Sequence, residues 1–110
     1  MPPPPNPSLA ELANALGEEN VRTLVRTFLR EFPRSLQALG NGDRQHQHRI
    51  AHSMKSSSRL VGGQVLSQRM AEIEARLMDE KGGDITPHDL EMIASELEAL
   101  SVPLRTFAGA

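Results

Sequence analysis

The sequence lacks several residue types that whole classes of protein need. It has no cysteine, which excludes disulfides, thiol chemistry and thiolate metal sites and suits a reducing compartment such as the cytoplasm. It has no tryptophan or tyrosine and only three phenylalanines, so little is available for stacking on bases. No apolar run approaches the roughly 20 residues that cross a bilayer, and the net charge of -2 gives no general attraction to nucleic acid. We therefore expect neither nucleic acid nor a membrane as a partner.

The chain of 110 residues is long enough for one domain with one core. Apolar residues recur at helical spacing, and no segment shows the two-residue alternation of a strand. The first residues, MPPPPNPS, predict an extended, mobile lead-in. A capping box at Ser8 predicts a short helix over 9–16. Longer helices are predicted over 18–39, from the N-cap Asp43 to about 61, over about 64–81, and from the N-cap Thr86 to about 107.

Two of these predicted helices contain an internal proline. At Pro33 the apolar stripe continues in register on both sides, so a kink is expected rather than a stop. Pro103 is expected to bend or fray the last helix. Short connections that contain glycine make successive helices antiparallel neighbours. The fold class is therefore all-α: an up-down-up-down antiparallel four-helix bundle with a short extra N-terminal helix.

The stretch AHSMKSSSRLVGG, from Ala51 to Gly63, lies in the third of the five predicted helices. On a helical wheel one side is expected to face the core and carries Ile50, Met54, Ser57 and Val61. His52 lies nearly opposite, and its surroundings are donors and cations: Ser56, Arg59, Lys55, Gln45 and His48. The sequence has no carboxylate between Asp43 and Glu72. Such a surface patch is suited to receiving a transient anion.

The residue types around His52 favour phosphoryl chemistry. Neutral imidazole is a good nucleophile near pH 7. Phosphoryl transfer asks a protein mainly for positioning and for stabilisation of negative charge. Lys55 reaches phosphoryl oxygens on its flexible stem, and Ser56 and Arg59 offer further donors. These residues indicate an exposed histidine that accepts a phosphoryl group.

The same stretch resembles the signature of the histidine-containing phosphotransfer (HPt) domains of bacterial phosphorelays. That signature is Ala-His-x-Leu-Lys-Gly-Ser/Ala-Ser, followed by a glycine about four residues further on. Met54 stands for the usual leucine, and Ser56 departs from the usual glycine. The segments LREFPRSLQAL, GNGDRQHQHRIAHSMK and AEIEARL resemble the flanking helices of the family. The positions that match the signature are Ala51, His52, Lys55, Ser57, Ser58 and Gly62.

The resemblance implies a monomeric bundle over residues 8–110, preceded by a flexible segment over 1–7. His52 would take a phosphoryl group from the aspartate of one receiver domain and pass it to another, and Lys55 would steady that group. The receivers would belong to response regulators or hybrid histidine kinases. Residues expected on the receiver-docking face are Ser56, Arg59, Gln45 and His48. No cofactor is expected in this chain, because the metal of the reaction belongs to the receiver.

Alternative interpretations stay open at this point. A helical adaptor that binds a receiver without carrying phosphate is the second candidate. An enzyme with its own ATP site is disfavoured, because the sequence has no phosphate-binding loop or acidic metal set. His48 and His52 are four residues apart and form a weak candidate for a metal site. Arg59 either contacts an acidic receiver surface or is simply solvated.

Overall fold

The chain folds into five α-helices, and the computed structural model describes residues 2–109 of it. Met1 and Ala110, which the predicted segments 1–7 and 8–110 include, lie outside the described residues. No strand occurs between residues 2 and 109, so the prediction of an all-helical chain is confirmed. The helices are α1 Pro7–Leu16, α2 Glu18–Leu39, α3 Arg44–Leu60, α4 Gln64–Met78 and α5 Pro87–Ala108.

Most helix starts lie where capping residues predict them. The Asp43 carboxylate accepts from the His46 backbone N–H at the start of α3. Thr86 and Asp89 form a reciprocal capping box at the start of α5. The prediction of Ser8 as the first cap is wrong, because Asn6 Oδ1 accepts from Leu9 N–H at 2.9 Å. Asn6 takes this role because its amide also donates to the carbonyl of Val61, at 2.9 Å, which anchors it to the turn after α3.

The internal prolines do not end their helices. Helix α2 continues through Pro33, as predicted. Helix α5 continues through Pro103 to Ala108, so the fraying predicted at its end does not occur. Its last turn is tied to α2, where Arg22 donates to the Phe107 carbonyl and Arg26 to the Ala108 carbonyl. These guanidinium groups satisfy carbonyls that a helix end otherwise leaves unpaired.

The core is a single apolar cluster to which every helix contributes. Helix α3 packs most extensively against α4, while α2 packs against α5, α3 and α1, and α4 packs against α5. Fully buried side chains from the five helices include Leu9, Val25, Met54, Met70 and Leu104. The burial of these side chains stabilises the bundle and with it the packing of α3, which carries His52, against α4, which carries Glu74.

Helix α4 ends at Met78, three residues before the predicted end at 81. The reason is tertiary: Arg44, the first residue of α3, reaches across to the carbonyls at the end of α4 and in the following loop. Its guanidinium also meets the carboxylate of Asp84 at 3.0 Å. The carbonyls that accept from it at 2.8–3.2 Å are those of Arg76, Leu77, Asp79 and Gly82.

Replacing Arg44 with lysine is expected to lower the free energy of unfolding by about 2 kcal/mol. The lysine ammonium carries the same charge, but it has fewer N–H donors than the planar guanidinium and cannot donate to this many carbonyls at once. Urea unfolding followed by circular dichroism measures the change. Arg34→Lys is the control, because Arg34 is 71 % exposed. Equal stability of the two variants would show that the loop does not depend on the guanidinium.

None of the helices between residues 2 and 109 is both long and apolar enough to cross a membrane.

Candidate functional site

His52 lies on the outward face of α3 with its side chain 61 % exposed. Its Nδ1 is hydrogen-bonded to Oε2 of Glu74, which comes from α4. An ionised carboxylate only accepts, so the ring hydrogen lies on Nδ1. This bond fixes the tautomer and the orientation of the ring. The lone pair of Nε2 is therefore free, on an exposed side chain, to act as a nucleophile.

Lys55 joins the same carboxylate from the next turn of α3. Its Nζ donates to Oε1 of Glu74 at 2.6 Å, so the two oxygens of Glu74 serve one residue each. The Lys55 side chain is only 20 % exposed. The three side chains form what we call the His52–Glu74–Lys55 network, in which one anion holds a nucleophile and a cation side by side.

Glu74 is ionised at neutral pH. The ammonium of Lys55, and after it the imidazole of His52, holds the pKa of Glu74 below its usual value against the opposing effect of burial. Its side chain is 13 % exposed. The network is thus a partly desolvated carboxylate with two donors, and the loss of either donor would leave one carboxylate oxygen without this partner.

The expectation that the patch around His52 has no neutralising acid is wrong. A wheel drawn for α3 alone shows no carboxylate near His52, but α4 packs on that flank and supplies Glu74. Sequence reasoning named Glu74 only as part of the AEIEARL segment that resembles the family. The resemblance of that segment to the family was the available sign that Glu74 matters, because the sequence pattern of one helix does not show which residue of another helix contacts it.

The side of α3 that is buried is also rotated about the helix axis relative to the predicted side. Met54 and Val61 are buried as expected, but Ala51 and Ser58 are buried with them, while Ser57 stays half-exposed. The cause is that α3 packs more extensively against α4 than against α2, so its most buried side turns toward α4.

Two hydroxyl groups hold the backbone of α3 at the level of Lys55. Ser67 of α4 donates to the Lys55 carbonyl at 3.2 Å, and Ser58 of α3 donates to the same oxygen at 3.1 Å. Ser58 also donates to the carbonyl of Met54 at 2.8 Å. The bond from Ser67 crosses between the helices, two turns of α4 before Glu74, and helps to keep the network in register.

The other residues predicted on the docking face surround His52 at different distances along α3. Gln45, Ser56 and Arg59 are exposed, whereas His48 is half-buried. The Nε2 of His48 is enclosed and has no hydrogen-bond partner in the described part of the chain. Ser56 and Arg59 line a cleft between α3 and α1. The structure therefore brings His52 and Lys55 into contact through Glu74 and places Ser56 and Arg59 beside α1.

No group of three or more metal-ligating side chains is found among residues 2–109. His48 and His52, the pair considered for a metal, have different environments: His48 Nε2 is enclosed, and His52 Nδ1 is bonded to Glu74.

The comparison with family models finds one described as the Hpt domain, which matches residues 8–102. No curated protein and no solved structure matches the chain. Hpt domains are helical phosphocarrier modules rather than classical enzymes; they perform histidine phosphotransfer in phosphorelays and interact with receiver domains. The matched range covers most of the chain. It includes α1 from its second residue, the whole of α2, α3 and α4 with the His52–Glu74–Lys55 network, and most of α5. As its sequence motif predicted, this chain belongs to the Hpt domain family.

Proposed function

We propose that His52 accepts a phosphoryl group from the aspartyl phosphate of one receiver domain and passes it to the aspartate of another. The observation that carries this proposal is the exposed imidazole whose Nδ1 is held by Glu74, which leaves Nε2 as the free nucleophile. Such a ring needs no further base, because Nε2 carries no hydrogen.

In the transfer step one bond forms at His52 and one bond breaks in the receiver, and this chain loses no group. Nε2 attacks the phosphorus, the N–P bond forms, and the P–O bond to the aspartate of the receiver breaks. The electron pair of that bond returns to the receiver as a carboxylate. The ring becomes an imidazolium that keeps its Nδ1–H on Glu74, and the nearby negative charge stabilises it. The onward step is the reverse reaction with a second receiver.

Lys55 and Glu74 have distinct roles in this proposal. Glu74 orients the ring and supports the charge that forms on it. Lys55 bonds to the same carboxylate beside the ring, and in this proposal its ammonium also donates to the incoming phosphoryl oxygens. The metal ion that assists the reaction belongs to the receiver, so we assign no cofactor to this chain.

The receivers of response regulators or hybrid histidine kinases are the proposed partners. A receiver that reaches Nε2 of His52 covers the outer face of α3, where Gln45, Ser56 and Arg59 are exposed and His48 is half-exposed. We propose that these four residues contact the receiver, and that Ser56 influences which receivers are accepted. The protein acts as a monomer in the cytoplasm and releases each receiver after transfer.

The architecture proposed for this function is an up-down-up-down four-helix bundle formed by α2 to α5, with α1 as an extra helix. Short connections between successive helices and the packing of α2 on both α3 and α5 support it. We also propose residues 8–110 as the phosphotransfer domain and residues 1–7 as a flexible lead-in, although Asn6 and Pro7 already take part in the start of α1.

A panel of phosphorylated receiver domains, each incubated with the protein, tests the proposal. We expect at least one receiver to transfer a phosphoryl group that is acid-labile and base-stable, as a phosphohistidine is. His52→Gln should take no label from the same receiver. A panel in which receivers bind stably but none transfers phosphate would favour the adaptor interpretation instead.

A further inference from the structure

Arg49 is an exposed cation on α3, three residues before His52. Residues three apart on a helix are neighbours on its surface. Both side chains lean toward the N-terminus of α3, so the spacing of about one turn between them is preserved. The guanidinium therefore starts close to the ring that would carry the phosphoryl group.

The orientation of the ring places its nucleophilic nitrogen toward Arg49. His52 Nδ1 points to Glu74 on the flank where α4 packs. The two nitrogens of an imidazole point in diverging directions, so Nε2 points away from α4. By helical position Arg49 lies on that opposite flank, while Lys55 lies on the flank of α4.

The charges on the two flanks differ as well. The ammonium of Lys55 is paired with Glu74 at 2.6 Å, which offsets much of its attraction for an incoming anion. Arg49 forms no ion pair within residues 2–109, so its charge is not offset by a carboxylate. A planar guanidinium also suits the oxygens of a phosphoryl group, to which it can donate two hydrogen bonds.

We propose that Arg49 is a second phosphoryl-binding residue, whose guanidinium donates to the oxygens of the phosphoryl group on His52 Nε2. Lys55 and Arg49 then hold this group from opposite flanks. Arg59 does not share the role, because it lies seven residues, or about two turns, beyond His52 along α3. The inference rests on the proposed function of His52 as the phosphoryl acceptor.

Chemical phosphorylation by phosphoramidate tests this without a receiver, so docking cannot influence the result. Nε2 attacks the phosphorus of phosphoramidate, the N–P bond to the ring forms, and the original P–N bond breaks to release ammonia. The proteins compared are the wild type, Arg49→Gln, Arg49→Lys, His52→Gln and, as an exposed arginine on another helix, Arg34→Gln.

We expect Arg49→Gln to be labelled about tenfold more slowly than the wild type. This is less than the 100-fold or more that a buried donor to a transition state contributes, because the site is open to water. Arg49→Lys should keep part of the rate. Arg34→Gln should stay within about twofold of the wild type, since the exposed charge of Arg34 on α2 is screened by water and salt.

A ³¹P NMR titration of the labelled proteins gives a readout that a purely structural role would not move. A cation in contact with the phosphoryl group lowers its pKa, so we expect a higher phosphoryl pKa in Arg49→Gln but not in Arg34→Gln. Labelling and titration of Arg49→Gln that both equal the wild type would overturn this inference while leaving His52 as the acceptor. A wild type that takes no more label than His52→Gln would carry none on His52, which would contradict the acceptor role itself.

Discussion

Replacing Glu74 with alanine is expected to lower the rate of phosphoryl transfer to His52 by about 100-fold, the upper end of the effect of removing a group that orients a reactive histidine. The carboxylate fixes the hydrogen on Nδ1 and holds the ring in place, and in the proposed reaction it also stabilises the imidazolium. Alanine removes all three effects and also leaves Lys55 without its partner.

Glu74→Gln separates orientation from charge. The amide oxygen can still accept from His52 Nδ1, but the negative charge that supports the imidazolium is lost. We expect a decrease of about tenfold, between the wild type and Glu74→Ala. The rate is measured with a phosphorylated receiver under single-turnover conditions, after circular dichroism has shown that each variant is folded.

Glu72→Ala is the matched control, because Glu72 is an exposed acid on the same helix, two residues before Glu74. Its rate should equal that of the wild type. If Glu74→Ala also transferred at the wild-type rate, the carboxylate would have no part in the reaction, and the contact with His52 would be only structural.

Asp89→Asn is expected to lower the free energy of unfolding by about 2.5 kcal/mol at pH 7. The guanidinium of Arg76, at 2.6 Å, is the main cause that lowers the pKa of Asp89 from 3.8 to about 2, and hydrogen bonds from Thr86 add to it. The side chain is 11 % exposed, so the charge pair is little screened by water. Asparagine keeps an acceptor for the cap of α5 but loses the charge.

The pH dependence follows from the lowered pKa. The folded state binds the Asp89 proton less readily than the unfolded state, so the stabilisation is complete above the unfolded pKa of 3.8 and is lost as the pH falls through about 2. The difference in unfolding free energy between the wild type and Asp89→Asn should therefore shrink to about 0.5 kcal/mol at pH 2. Urea unfolding at pH 7, 4, 3 and 2 measures it.

Asp84→Asn serves as the control for this pair. Asp84 also meets a guanidinium, that of Arg44, but its side chain is 95 % exposed. We expect a loss below about 0.5 kcal/mol at any pH, which is typical of a solvated ion pair. If the difference in unfolding free energy between the wild type and Asp89→Asn stayed constant from pH 7 to pH 2, the charge of Asp89 would not be what stabilises α5.

The helices and the family motif are properties that the sequence determined by itself. Helical spacing, the capping groups of Asp43 and Thr86, and the turns that contain glycine act over a few residues, so a single sequence shows them. For this reason the bounds of α2 agree with the prediction, and α3 and α5 begin after the predicted caps. The position of His52 on the outer face of α3 also follows from the helical period alone.

Only the tertiary structure decided what surrounds that histidine, where α1 begins and where α4 ends. Asn6 replaces Ser8 as the cap of α1 because its amide bonds to Val61, 55 residues away. Helix α4 ends early because Arg44 of α3 takes the carbonyls at its end. Glu74 reaches His52 and Lys55 because α4 packs against α3. Each of these contacts joins residues that are distant in the chain, and no local pattern records such a pairing. The sequence alone therefore indicates a reactive histidine, while the packing of α4 on α3 supplies the carboxylate that orients it.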